Sequence, residues 1–124
     1  MEVNAPLERT RLEALAEAVI VTTMSAVDRH HVARRIGAGN IEIEIEDGLI
    51  SEFTADFYEM LTQRTAGAGT GRLGSRHPSL RSWAVRAAEQ GANAILEATL
   101  TYQGHAGRRA RFLLGGTFVE LAPD

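Results

Sequence analysis

The sequence predicts an α+β domain: a mostly antiparallel sheet with two helices packed on it. Three observations carry that reading. Ile41 to Glu46 alternates strictly as Ile-Glu-Ile-Glu-Ile-Glu, and a period of two belongs to a half-buried strand. Pro78 to Gln90 gathers Leu80, Trp83, Ala84, Ala87 and Ala88 on one helical face, and Gly91 supplies the stop. Ala94 to Tyr102 and Arg109 to Leu121 read as two strands joined across Gly104 to Gly107.

The elements follow in order. Leu7 to Ala18 sets Leu7, Leu12 and Leu15 among Glu, Arg and Ala after Pro6, a short amphipathic helix. We read residues 1–18 as a helical extension and residues 19–124 as the single domain. Val19 to Thr23 is a β-branched run, hence a buried strand. His31 to Ile36 is a second extended piece, ended by Gly37-Ala38-Gly39. The alternating strand comes next, with Ile41, Ile43 and Ile45 on one face and Glu42, Glu44 and Glu46 on the other. Asp47-Gly48 closes it as a turn.

From Leu49 the period becomes helical, with Ile50, Phe53, Phe57 and Met60/Leu61 in one stripe. Thr65 to Ser75 is a glycine-rich loop between this helix and the one at Pro78. In the hairpin, Leu96, Ala98, Leu100 and Tyr102 share a face, and pairing Leu100 with Ala110 and Ala98 with Phe112 sets apolar against apolar. That register requires an odd loop, Gly104-His105-Ala106, with Gly107 free for a left-handed position. Gly115-Gly116 in mid-strand signals a bulge or a close backbone approach.

Composition narrows the functional classes. A chain of 124 residues with 44% hydrophobic and 23% charged residues is ordinary for one folded domain. All 13 basic residues are Arg, but they are outnumbered by 16 acids and do not cluster. A net charge of −3 therefore argues against nucleic acid as a partner, including through Arg34, Arg35, Arg108, Arg109 and Arg111. The chain has no cysteine, which removes disulfides, thiol catalysis and thiolate metal sites together. Leu12 to Met24 is the one segment resembling a leader, but Glu13 and Glu17 interrupt it and it is too short to span a bilayer. A cytoplasmic location with no membrane partner is the expectation.

Few residues offer chemistry. Gly69-x-Gly71-x-x-Gly74 spells a dinucleotide fingerprint, but a helix precedes it where the mechanism needs a strand. A weaker form remains, in which Arg72, Arg76 and the amides at Ser79 hold an anion where the second helix starts. His30 and His31 are adjacent and point to opposite faces of an extended segment, so one cation cannot easily take both. With Glu42 and Glu44 they form the candidate imidazole–carboxylate metal set, against the plain alternative of surface roles. The carboxylate ladder has a plain reading too: a solvated face, or a partner to Arg109 and Arg111 across the sheet. No G-x-S-x-G or H-E-x-x-H stands in the chain, and no catalytic residue or cofactor is named by the sequence.

The order of elements, together with Gln90-Gly91-Ala92-Asn93-Ala94-Ile95, resembles the YbjQ family, which has a GANAVV-like step from helix into strand. Gly71-Arg72-Leu73-Gly74 is similar to that family's GGRSG-like loop, and Val21-Thr22-Thr23 with Val27 is similar to the start of its first strand. Asp56-Phe57 matches an aspartate–aromatic pair on its first helix. The resemblance spans roughly residues 19 to 121. Arg34-Arg35-Ile36-Gly37-Ala38-Gly39-Asn40 departs from the family's YLGVVTG-like second strand. What the resemblance implies is a small α+β subunit that assembles into a ring, with a pentamer as the expected size. It also implies a heavy-metal-binding label without an agreed mechanism.

The resulting expectation is a non-enzymatic homo-oligomeric binding or scaffold module, holding a metal or small anion between subunits. Ile41, Ile43 and Ile45 are its expected interface, as an apolar face needing cover from a second copy. The alternative is a hydrolase or lyase whose Glu/His site is completed across a subunit boundary.

Overall fold

The structure, a computed structural model, describes residues 5–66 and 76–124. Helix α1 (Ala5–Glu17) is followed by strands β1 (Ile20–Val21), β2 (His30–Ala38) and β3 (Ile41–Glu46). A 3-10 turn, Asp47–Leu49, leads into helix α2 (Ile50–Ala66). Helix α3 (Pro78–Glu89) and the long strands β4 (Ala94–Ala106) and β5 (Arg109–Pro123) complete the order. The architecture is α+β, a five-stranded, mostly antiparallel sheet packed with three helices. No described helix is long and apolar enough to cross a membrane.

The sheet runs β1-β4-β5-β2, and β3 also pairs with β5. β1 is parallel to β4, and the other pairings are antiparallel. β2 and β3 lie end to end along β5, β2 against Thr117–Pro123 and β3 against Arg109–Leu114. The break between them is Gly39-Asn40, where the Gly39 amide still donates to the Gly116 carbonyl at 2.9 Å.

One face of the sheet meets the helices. Phe53, Phe57, Leu80, Trp83, Ile95 and Phe118 are almost wholly buried there. Helix α1 joins the same core through Ala16, with Leu12 partly buried. On the other face Ala94, Leu96, Val119 and Leu121 form a second, smaller cluster, against which Ile20 and Val27 pack. The segment after β1 folds back over it: Met24 accepts from the Glu97 amide and Thr22 from the Ala98 amide, both at 2.9 Å.

The hairpin differs from the expected register. β4 and β5 pair as far as Ala106 with Arg109, leaving only Gly107-Arg108 in the turn, with Gly107 at φ 66°. A two-residue loop with glycine first is favoured because its twist matches that of the strands. Leu100 faces Leu114 and Tyr102 faces Phe112. Apolar still meets apolar, because Gln103 is an extra residue between Tyr102 and Gly104 and restores the parity the short turn would have lost.

The common face proposed for Leu96 and Ala98 is also corrected. Glu97 and Ala98 together oppose Gly116, so β4 carries a bulge there with Glu97 at φ 56°. The bulge sends Leu96 to the small cluster and Ala98 to the helix side. The close approach expected at Gly115-Gly116 is present: a Cβ on Gly116 would lie 2.5 Å from Ile95 Cγ2.

Candidate functional site

Each expected site residue among the described residues has a definite place. The alternation of β3 puts Glu42, Glu44 and Glu46 on the exposed face. Register sets Glu44 opposite Arg111 and Glu46 opposite Arg109. Glu44 is shared between them, with Oε1 3.6 Å from Arg109 Nη1 and Oε2 3.5 Å from Arg111 Nε. Glu44 thus supplies the cross-strand ion pairs of this solvent-exposed face, and such pairs contribute about 0–1 kcal/mol each.

His30 and His31 stand at the far end of β5, opposite Pro123 and Ala122, whereas Glu42 stands opposite Leu113. Ten β5 positions at ~3.3 Å each keep the two halves of the metal set some tens of ångströms apart within one chain. His30 Nδ1 lies 2.8 Å from the Asp28 carbonyl oxygen and His31 Nδ1 2.9 Å from Asp124 Oδ1. Among the described residues no group of three or more metal-ligating side chains forms.

Of the anion site expected at the start of α3, the described residues Arg76 and Ser79 have partners within the chain. Arg72 and the glycine fingerprint lie outside the described residues. Arg76 is buried, with Nη1 2.5 Å from Glu59 Oε1. The Ser79 amide donates to His77 Nδ1 at 3.1 Å, and the His77 amide donates to Asp56 Oδ2 at 3.1 Å. His77 is the N-cap, so donors that would meet an anion are already spent on the cap.

The isoleucine face finds part of its cover inside the subunit. Ile45 is 1% exposed and needs none from a second copy, while Ile41 and Ile43 pack against the main core and stay partly exposed.

Sequence reasoning missed a cluster where the 3-10 turn meets the hairpin. Tyr102 Oη is 2.5 Å from His105 Nδ1, and His105 Nε2 is 2.8 Å from Asp47 Oδ1. With Asp47 as acceptor, Nε2 carries a proton and Nδ1 is free to accept from the phenol in the neutral ring. The Asp47 amide donates to the Arg108 carbonyl at 3.0 Å, which fixes the turn against the hairpin. Tyr102 also packs edge-on to Phe112, with ring centroids 5.7 Å apart. Only the two-residue turn brings His105 alongside Asp47, so the wrong register concealed the cluster.

An imidazole between a phenol and a carboxylate can pass a proton. Here all three side chains are about half exposed, and water competes for every contact. Among the described residues no histidine hydrogen-bonds a glutamate, so within them one chain brings together no Glu/His pair for the hydrolase or lyase alternative. No protein-family model matches the chain, and no curated protein is significantly similar to it.

Proposed function

We propose that the chain is the subunit of a non-enzymatic homo-oligomer, a binding or scaffold module whose copies join along the β2 edge. One observation carries the reading. β2 is nine residues long, ends the strand order, and has β5 as its neighbour on one side. None of its nine residues is buried, and Val32 is 37% exposed. A long open edge presents a row of backbone donors and acceptors, which pairing with another strand satisfies.

The details of the edge support a selective contact. Two register shifts, between Val32 and Arg34 and between Arg35 and Gly37, break its regularity. Arg34 is held by Glu120, Nε to Oε1 3.2 Å. Bulges and charges discourage indiscriminate edge pairing while leaving room for a matched partner. The resemblance to the YbjQ family supports a ring, with a pentamer as the expected size, and a cytoplasmic setting accords with the absence of cysteine.

Light scattering on the wild type and on Val32→Glu tests the proposal. The wild type is expected at a multiple of the 13.4 kDa chain mass and the variant at the chain mass, with unchanged circular dichroism. Equal masses for the two proteins remove β2 from the contact.

A further inference from the structure

We infer that the groove bounded by α1, α3 and β3 binds a small organic carboxylate with an aliphatic body, seated on Arg81. The groove holds about 510 Å³, a volume that suits a small molecule. It is distinct from the Asp47–His105 cluster and lies within one chain. Its helical wall follows from spacing: Arg81, Val85 and Glu89 recur every four residues, so they share one face of α3. Ser82 and Arg86 flank that stripe, and all five residues line the groove.

The unspent donor is Arg81. Its Nε is shielded from solvent and has no hydrogen-bond partner, the one such side-chain atom among the described residues. Shielding a charged donor without an acceptor is costly, and native structures seldom leave one in that state. Arg81 therefore calls for an acceptor that the described chain does not provide. Arg81 lines the groove, and rotation of its side chain toward a ligand would free the edge of Nε and one terminal nitrogen, which matches the two oxygens of a carboxylate side-on.

The remaining walls select the body of the ligand. Ile41 is partly buried, and with Val85 and Pro78 it gives the groove an apolar side. Arg86 adds a second cation within the same groove. Glu13 and Glu89 also line it, and neither forms an ion pair with Arg81 or Arg86 among the described residues. These two carboxylates penalise a dianion such as phosphate and leave a monoanion with an apolar tail as the better fit.

This proposal names a ligand for the binding module but does not depend on the β2 contact, so each can fail alone. The test is a residue-resolved amide NMR titration of the full chain with hexanoate, alongside 1-hexanol and inorganic phosphate as controls. Saturable shifts are expected at Ile41, Ser82 and Val85 with hexanoate. Binding should weaken about 10- to 100-fold in Arg81→Ala, the range expected for losing a charge-assisted hydrogen bond. Arg81→Lys, which keeps the charge but not the fork, should fall between, and it carries the comparison if Arg81→Ala loses its dispersed spectrum. No saturable shifts, shifts centred elsewhere, equal binding of 1-hexanol, tighter binding of phosphate, or full affinity in both Arg81 variants would each overturn the inference.

Discussion

Trp83 donates its indole N–H to the carbonyl oxygen of Gly39 at 2.7 Å, tying α3 to the junction between β2 and β3. The indole is fully buried, so this bond has no competing water. The same glycine is pressed against Phe118: a Cβ on Gly39 would lie 2.0 Å from Phe118 Cε1. One residue thus breaks the strand, satisfies the tryptophan and admits a large ring beside it.

Gly39→Ala should be among the most damaging single substitutions in the chain. The added methyl must displace a ring held in a packed core, at a cost of about 3 kcal/mol. Urea unfolding should give a lower midpoint with little change in slope. An unchanged midpoint would mean the junction is slacker than described.

Trp83→Phe removes the donor and leaves the Gly39 carbonyl short of its partner, besides opening a void. We expect a loss of about 2 kcal/mol or more. Urea unfolding measures it, with Trp83→Leu in parallel: both lose the same bond, so their difference reports volume, and an unchanged midpoint in Trp83→Phe would mean the bond contributes nothing.

Glu97 holds a left-handed conformation at the β4 bulge, where a β-branched residue is strongly disfavoured. Glu97→Val should cost more than about 1 kcal/mol, while Glu97→Gly should be neutral or mildly stabilising. Thermal unfolding of the pair measures the difference. A valine that costs nothing would deny the bulge.

The Asp47–His105 contact is half exposed on both sides. Its removal in His105→Ala should change stability by less than about 1 kcal/mol. Urea unfolding tests this, and a loss well above that would indicate a shielded site.

Much of the fold was legible because it rests on local periodicity. Ile41–Glu46 had to alternate, and Leu80, Trp83, Ala84 and Ala87 had to face one core. What escaped was set by bulges. Glu97 is an ordinary residue in an ordinary strand sequence, and nothing local announces its positive φ. Gln103 falls between the strand expected to end at Tyr102 and the loop expected from Gly104, and its extra place shifts the hairpin by enough to hide Tyr102, His105 and Asp47 from one another. The isoleucine stripe was read correctly as apolar, but a sequence does not say which layer covers it. Arg81 was one arginine among thirteen, and only packing reveals that its Nε lacks a partner.

The same distinction separates two substitutions on neighbouring strands. Ile43→Glu should unfold the subunit, since Ile43 packs against the main core. Val32→Glu should leave the subunit folded, since Val32 is already exposed. Circular dichroism at equal concentration distinguishes them, and an unfolded Val32→Glu would place Val32 in a core.

The most direct test of association through β2 is native mass spectrometry of the wild-type chain across a dilution series, with Val32→Glu in parallel. The account predicts a closed set of identical copies for the wild type and a single 13.4 kDa chain for the variant. A wild type that stays at 13.4 kDa at every concentration would contradict it.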